Sequence, residues 1–361
     1  MFFRNKTFWI GALGSAAFLA VFVTLFVDFE TIGEVLGDAN YAYIAPSLVF
    51  YFIAVWFRSE RWKFLLRPLI GTPQKSIYSV VVVGYMANNL IPVRIGEVVR
   101  SYYLSLREKC SAPAAFGTVA VERATDVLAL LFFLAAAGLL GTVGMERAVG
   151  DISSDIPGGA AVLALVALLP FVGVLTVVLV ILLASSDTVL NWIDRMMFMF
   201  GTGLRKRLLG IAERLLEGLT VVSSPLDLAK VFAWSIPVWA SEAVMYYLIA
   251  IGFDLRPVFD SHIEFIAAIL VFTSAANLAG VLPSTAGSWG PFDFFGAAAL
   301  VALGVGQEVA AAYALTVHVT LWLPPTIVGV VILVMDGNSL SGLMKGAKES
   351  DQPIAGKSSP K

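Results

Sequence analysis

The chain has 361 residues, of which 58% are hydrophobic and 14% charged, with a formal net charge of −2. Soluble domains carry about 25% charged residues, so a chain this poor in charge is an integral membrane protein with most of its length in the bilayer. A single cysteine, Cys110, excludes an internal disulfide and a thiol-based metal site. There is no zinc, P-loop or dinucleotide-binding motif, and His262 and His318 are far apart, so neither a metal, a cofactor nor a nucleic-acid partner is expected.

A bilayer-spanning helix needs about 20 apolar residues. The first candidate, 8–27, is longer than the apolar core of a signal peptide and lacks a small-x-small cleavage pattern, so it is expected to stay as the first span. Further full spans are predicted at 41–57, 112–140, 160–184, 230–252 and 308–334. Two other apolar stretches, 76–106 and 263–304, are broken in the middle by Asn, Pro and Gly, each too long for one span and awkward as two. Within 185–229, Leu204, Leu208, Leu215 and Leu219 recur at helical spacing among Arg205, Arg207, Arg214 and Glu217. That segment reads either as an amphipathic helix on the inner leaflet or as a connector packed on the protein. Residues 335–361 are polar and are predicted to form a disordered cytoplasmic tail.

Charge orders these elements, because Lys and Arg collect on the cytoplasmic side. Of the 24 Lys and Arg, 21 fall in residues 1–7, 58–75, 94–111, 185–230 and beyond 334. The other connections are acidic, with Asp28, Glu30, Glu34 and Asp38, then Glu146, Asp151 and Asp155, then Asp254 and Asp260. The pattern fits if both flanks of 76–106 lie inside and both flanks of 263–304 outside, each broken stretch being a re-entrant hairpin. The expected fold is all-α: six full transmembrane helices plus two re-entrant hairpins, eight hydrophobic segments in one domain over 1–334. Its halves, 8–140 and 160–334, repeat with inverted orientation. The echo between ANNLIPVRIG at 87–96 and ANLAGVLPSTAG at 276–287 agrees, and inverted repeats with broken helices mark many secondary transporters. A multi-pass protein of the cell membrane with both termini cytoplasmic follows; eight plain spans are the alternative.

Non-helical backbone at membrane depth survives only when buried in protein or lining a wet cavity. In the first break, Pro92 removes a donor, and Asn88 and Asn89 offer amides. Arg94, Glu97 and Arg100 then follow at three-residue spacing on a helix whose N-terminus would point inward, either an anion site or an ion-pair ladder at the surface. VERATD places Glu122, Arg123 and Asp126 within a turn and a half of a span, where they must face the bundle interior, as a site or as a structural lock. Glu242 reads as a lone intramembrane acid. The second break supplies Asn277, Ser284, Thr285 and Ser288, with Pro283, Gly287 and Gly290 for tight backbone approach and Asp293 for charge; His318 reads as a satisfied core histidine.

The runs NNLIPVRIGEVVR, VERATD and NLAGVLPSTAGSWGPFD resemble the lysylphosphatidylglycerol synthase transmembrane region, a flippase-like membrane family, with similarity over most of 8–334. The resemblance implies movement of lipids between leaflets, and some relatives have been tied to glycolipid or glycan assembly. It places Asn89, Pro92, Arg94, Gly96, Glu97 and Arg100 in a first motif, Glu122, Arg123 and Asp126 in a second, and Pro283, Gly287, Gly290 and Asp293 in a third. Two positions depart from the family pattern: Asp293 stands where Glu is expected and His318 where Arg is expected. The aminoacyl-transferase domain of bifunctional members is expected to be lacking, and with it lysine transfer. The expected activity is a non-enzymatic lipid translocase, its partners being membrane lipids with anionic or zwitterionic headgroups, and a homo-oligomer is kept open. Arg94 and Arg100 would hold phosphate, and Glu97, Glu122 and Asp126 would balance them or receive an amine. A membrane transferase acting on a lipid-linked sugar or phospholipid headgroup is the rival, and a non-catalytic scaffold the third reading.

Overall fold

The computed structural model describes residues 6–26, 28–71, 77–91, 96–141, 224–280 and 286–350, with a few isolated positions between 173 and 210. Among the described residues there is no strand. The helices are α1 (Lys6–Phe26), α2 (Phe29–Asp38), α3 (Ile44–Ile70), α4 (Ile77–Leu90), α5 (Gly96–Glu108) and α6 (Ala112–Gly141), followed by α7 (Pro225–Gly252), α8 (His262–Ala279), α9 (Pro291–Ala302), α10 (Gln307–Met335) and α11 (Leu340–Ser350). Of these, α3, α6, α7, α8 and α10 are long and apolar enough to cross a membrane, and a sixth candidate appears if α1 and α2, bent by 86°, count as one span.

Local chemistry sets the boundaries. The Asp28 carboxylate accepts from the N–H groups of Glu30 and Thr31 and starts α2. Ser224 and Ser261 cap α7 and α8 in the same way, with Pro225 at the first position of α7, where its missing N–H removes nothing. Both broken stretches are pairs of helices that pack on each other, α4 with α5 and α8 with α9. At about 1.5 Å per residue, α4, α5 and α9 are about 21, 20 and 18 Å long, short of the roughly 30 Å hydrocarbon core. Close approach of α4 and α5 needs Gly96, since a Cβ there would lie 2.5 Å from the backbone N of Asn88 and the carbonyl of Gly84.

The most extensive pairing joins α3 to α7. Around it the packing is reciprocal: α4 lies on α10 and α8 on α6, while α5 lies on α6 and α9 on α10. Aromatic side chains fill the centre. Tyr246, Phe272 and Tyr313 are fully buried, with ring centroids 5.5 Å apart for Tyr246–Phe272 and 4.9 Å for Phe272–Tyr313.

Three expectations change. The span expected over 41–57 continues as α3 to Ile70, because Trp62, Leu65 and Leu66 beyond the apolar run are fully buried. Arg58 and Arg61 are therefore mid-helix core residues, not loop charges. Within the tail expected to be disordered from 335, residues 340–350 form α11, with Leu343 buried, and Asp336 accepts from Tyr103 Oη and Arg107 Nη2; residues 351–361 lie outside the described residues. Most of the expected span 160–184 and the leucines of the expected amphipathic segment lie outside the described residues.

Candidate functional site

A cavity of about 210 Å³ lies between the two broken stretches and the α3–α7 pair. Its charged lining is Arg58, Glu97, Arg123, Asp126 and Glu242. Asn88, Asn89, Asn277 and Ser288 add polar groups, and Tyr51, Tyr85, Trp239 and Trp322 add aromatic ones. Asn88 and Asn277 occupy matching places in the two sequence echoes and reach the same hollow from α4 and α8.

Most of these charges are locked. Arg58 Nη2 donates to Glu242 Oε2 at 2.5 Å, and its guanidinium lies 4.6 Å from the centroid of Trp239. Glu242 is thus not a lone acid; the correction follows from the extension of α3. Behind the cavity wall, Arg61 Nη1 donates to Asp126 Oδ1 at 2.7 Å and to Ser235 Oγ at 2.6 Å, and its Nη2 donates to Glu122 Oε1 at 3.1 Å. Trp239 Nε1 adds a bond to Asp126 Oδ1 at 3.1 Å. Arg100 Nη2 lies 2.9 Å from Glu122 Oε2, outside hydrogen-bond geometry, and its guanidinium stacks 3.6 Å from the centre of Trp62. A desolvated cation over an indole face gains about 2 kcal/mol. Arg100 and Glu122 are almost fully buried and do not line the cavity, and Glu97 and Arg100 turn to different partners instead of forming one ladder.

Arg123 differs from the other arginines. Its Nε is 3.6 Å from Glu97 Oε1 and its Nη2 is 3.3 Å from Asp126 Oδ2, neither in hydrogen-bond geometry. Its side chain is 35% exposed and that of Glu97 is 22% exposed. Two neutral groups on lining residues, Tyr85 Oη and Asn88 Oδ1, have no hydrogen-bond partner among the described residues.

After the second break, Gly287, Gly290 and Asp293 form a hydrogen-bonded corner with His318. Gly287 has φ +74° and a Cβ there would meet the Trp322 ring at 2.7 Å, so only glycine fits. Asp293 Oδ2 accepts from Gly290 N–H at 2.9 Å and starts α9, while its Oδ1 pairs with His318 Nδ1 at 2.8 Å. His318 Nε2 lies 2.8 Å from the Gly287 carbonyl, and its ring stacks on Trp289 at 4.0 Å. The two positions that depart from the family pattern are therefore one pair, a shorter acid facing a shorter base. Asn89 Nδ2 donates to the Trp322 carbonyl and to Thr326 Oγ1, both at 3.0 Å, and Trp322 Nε1 returns a bond to the Asn89 carbonyl at 3.1 Å. Asn277 Nδ2 ties α8 to α7 through Tyr246 Oη at 3.1 Å. Pro92, Arg94, Pro283, Ser284 and Thr285 lie outside the described residues.

Arg58, Arg61, Tyr85 and Trp239 escape a reading of the sequence, although one signal was present. Glu122, Asp126 and Glu242 within spans have only Arg123 beside them, and buried acids require cations. The i,i+3 pair Arg58–Arg61, directly after an apolar run and flanked by Trp56 and Trp62, is the nearest source.

A family model described as Lysylphosphatidylglycerol synthase TM region matches residues 8–329. Glycosyltransferase AglD of Haloferax volcanii is 29% identical over 310 residues, 80% of this chain and 48% of that protein. A UPF0104 membrane protein of Methanocaldococcus jannaschii is 32% identical over 114 residues, 31% of this chain and 34% of that protein. The matched regions span about half of the first relative and a third of the second. No solved structure matches. The expectation of a non-enzyme is corrected by the first of these matches, since a relative named a glycosyltransferase is similar over most of the chain. With its apolar helices and a family match that runs almost end to end, this multi-pass membrane protein belongs to the Lysylphosphatidylglycerol synthase TM region family.

Proposed function

We propose that the chain takes the polar headgroup of a membrane lipid into the cavity and carries it between leaflets, the acyl chains staying in the bilayer. A headgroup cannot cross hydrocarbon without replacing its lost hydration, and the cavity offers amides, hydroxyls and charges for that purpose. Arg123 is the observation that carries this reading. Among the described residues it is the one arginine of the lining without a formed hydrogen bond, and a guanidinium suits phosphate oxygens in a two-point contact. Arg58 also lines the cavity but is committed to Glu242.

In this reading the two helix pairs are re-entrant hairpins, and the reciprocal packing of α4 on α10 and α8 on α6 supports an inverted repeat. The basic connections would face the cytoplasm of the cell membrane, with both termini on that side. Leaflet exchange of a headgroup-labelled phospholipid in reconstituted vesicles tests the proposal. Wild-type protein is expected to accelerate exchange and Arg123→Gln to abolish most of the gain; equal rates for the two would end this assignment.

The match to Glycosyltransferase AglD favours a second reading, in which the cavity presents the headgroup of a lipid-linked substrate to a transfer reaction. Mass spectrometry of lipids after incubation with candidate donors separates the two, since transfer alters the lipid mass and translocation does not.

A further inference from the structure

We propose that the headgroup taken up is a zwitterion with a primary ammonium beside its phosphodiester, of the phosphoethanolamine type, and that it enters by opening the Glu97–Arg123 pair. The inference rests on the headgroup-binding reading above and goes further by naming the class of headgroup.

Charge balance comes first. Among the described residues the cluster holds Arg58, Arg61, Arg100 and Arg123 against Glu97, Glu122, Asp126 and Glu242, four charges of each sign. A net anion or a net cation added to so buried a cluster would leave one charge uncompensated, which is the costly case. A zwitterion leaves the balance unchanged.

The second argument is which pair can open. Glu242 is held at 2.5 Å by Arg58, and Asp126 at 2.7 Å by Arg61. The Glu97–Arg123 contact is 3.6 Å, has no hydrogen bond and lies at the cavity wall with both side chains partly exposed. Phosphate on Arg123 and ammonium on Glu97 would replace one loose ion pair with two charge-assisted ones.

The third argument is donor count. A primary ammonium has three N–H donors. Besides the Glu97 carboxylate, two lining residues carry buried oxygens without partners among the described residues, Tyr85 Oη and Asn88 Oδ1. Asn88 Oδ1 abuts Gly96, the residue before Glu97, and Tyr85 lies one turn earlier on α4. A quaternary ammonium has no N–H to give them, and a glycerol headgroup would leave Glu97 without a cation.

The test is lipid retention by the purified full chain in detergent, read by native mass spectrometry against phosphatidylethanolamine, phosphatidylcholine, phosphatidylglycerol and a glycosyl diacylglycerol with the same acyl chains. Wild type is expected to retain phosphatidylethanolamine about tenfold or more over the others, the worth of one hydrogen bond to a charged group. Glu97→Gln is expected to erase that preference and Glu97→Asp to keep part of it. Asn88→Ala removes one neutral acceptor and is expected to lower phosphatidylethanolamine retention alone, which keeps the test open where a charge variant does not fold. Arg123→Gln is expected to weaken every phospholipid, and Arg123→Lys to spare them in part. Retention that depends on Arg123 but shows no preference for phosphatidylethanolamine overturns the inference and leaves headgroup binding standing. Retention indifferent to Arg123→Gln overturns headgroup binding at this site as well.

Discussion

Arg61→Met tests whether the buried charges form one structural unit. Arg61 is fully buried and serves three acceptors: Asp126 at 2.7 Å, Ser235 at 2.6 Å and Glu122 at 3.1 Å. Methionine keeps most of the stem and removes the guanidinium. Glu122 retains Arg100 at 2.9 Å, but Asp126 is left with Trp239 and the distant Arg123. Removing one partner of a buried pair costs about 3–5 kcal/mol. Because two carboxylates lose a donor here, the upper end is expected, about four thousandfold in the folding equilibrium. The partner variant Asp126→Asn leaves Arg61 on Glu122 alone and is also expected to destabilise. The double variant restores the balance of charge and leaves the Arg100–Glu122 pair intact, so it should lose less than the two singles added together, by a coupling of about 1–3 kcal/mol. Midpoints of unfolding in dodecyl sulfate titrations of the detergent-solubilised protein give the comparison. If the double variant loses as much as the two singles added together, the network is a set of independent contacts and the reasoning is wrong.

Gly96→Val would push a side chain into the Asn88 and Gly84 backbone and part α4 from α5; loss of monodisperse protein is expected on size exclusion, whereas Gly33→Ala, with open space around it, is expected to leave the elution unchanged. Asn89→Ala strips the Trp322 carbonyl and Thr326 of a donor and is expected to lower stability by about 1–3 kcal/mol in the same titration. Burial raises the Cys110 thiol above its ordinary pKa, so less thiolate is present at neutral pH. Alkylation of this single cysteine by a small maleimide is then expected to run slower at pH 7 than that of a free thiol and to climb to a higher pH before levelling, and reaction from only one side of sealed vesicles would place the α5–α6 link.

The two broken stretches were legible because Asn, Pro and Gly interrupt runs that are otherwise uniformly apolar, and their helix pairs run over 77–108 and 262–302, within two residues of the expected 76–106 and 263–304. VERATD was legible as inward-facing because three charges in a turn and a half leave no alternative in hydrocarbon. What failed was the partner assignment. A charge at the end of an apolar run looks the same whether the helix stops there or continues under cover of other helices. Arg58 and Arg61 belong to the second case because Trp62, Leu65 and Leu66 keep α3 buried beyond them. For Trp62 that cover comes from Thr118 on α6 and Arg100 on α5, about 40 to 55 residues away in the chain, and no local pattern reports it. For the same reason Asp293 and His318 read as two departures, although they contact each other at 2.8 Å.

These partners bear on how access could alternate. Under the inverted repeat proposed above, Arg58–Glu242, Arg61–Ser235 and Trp239–Asp126 all cross from one half to the other, and all lie on or beside the α3–α7 pairing. Shearing that seam would strand several buried charges at once, at about 3–5 kcal/mol for each broken pair. Halves that rock must therefore pivot on α3 and α7, leaving their ion pairs intact, while the cheaper contacts at the cavity wall exchange. The Glu97–Arg123 pair, loose and partly exposed, is the cheapest of these. A headgroup that opens it acts on α5 and α6 without disturbing the axis, so binding and movement can be coupled through a single contact.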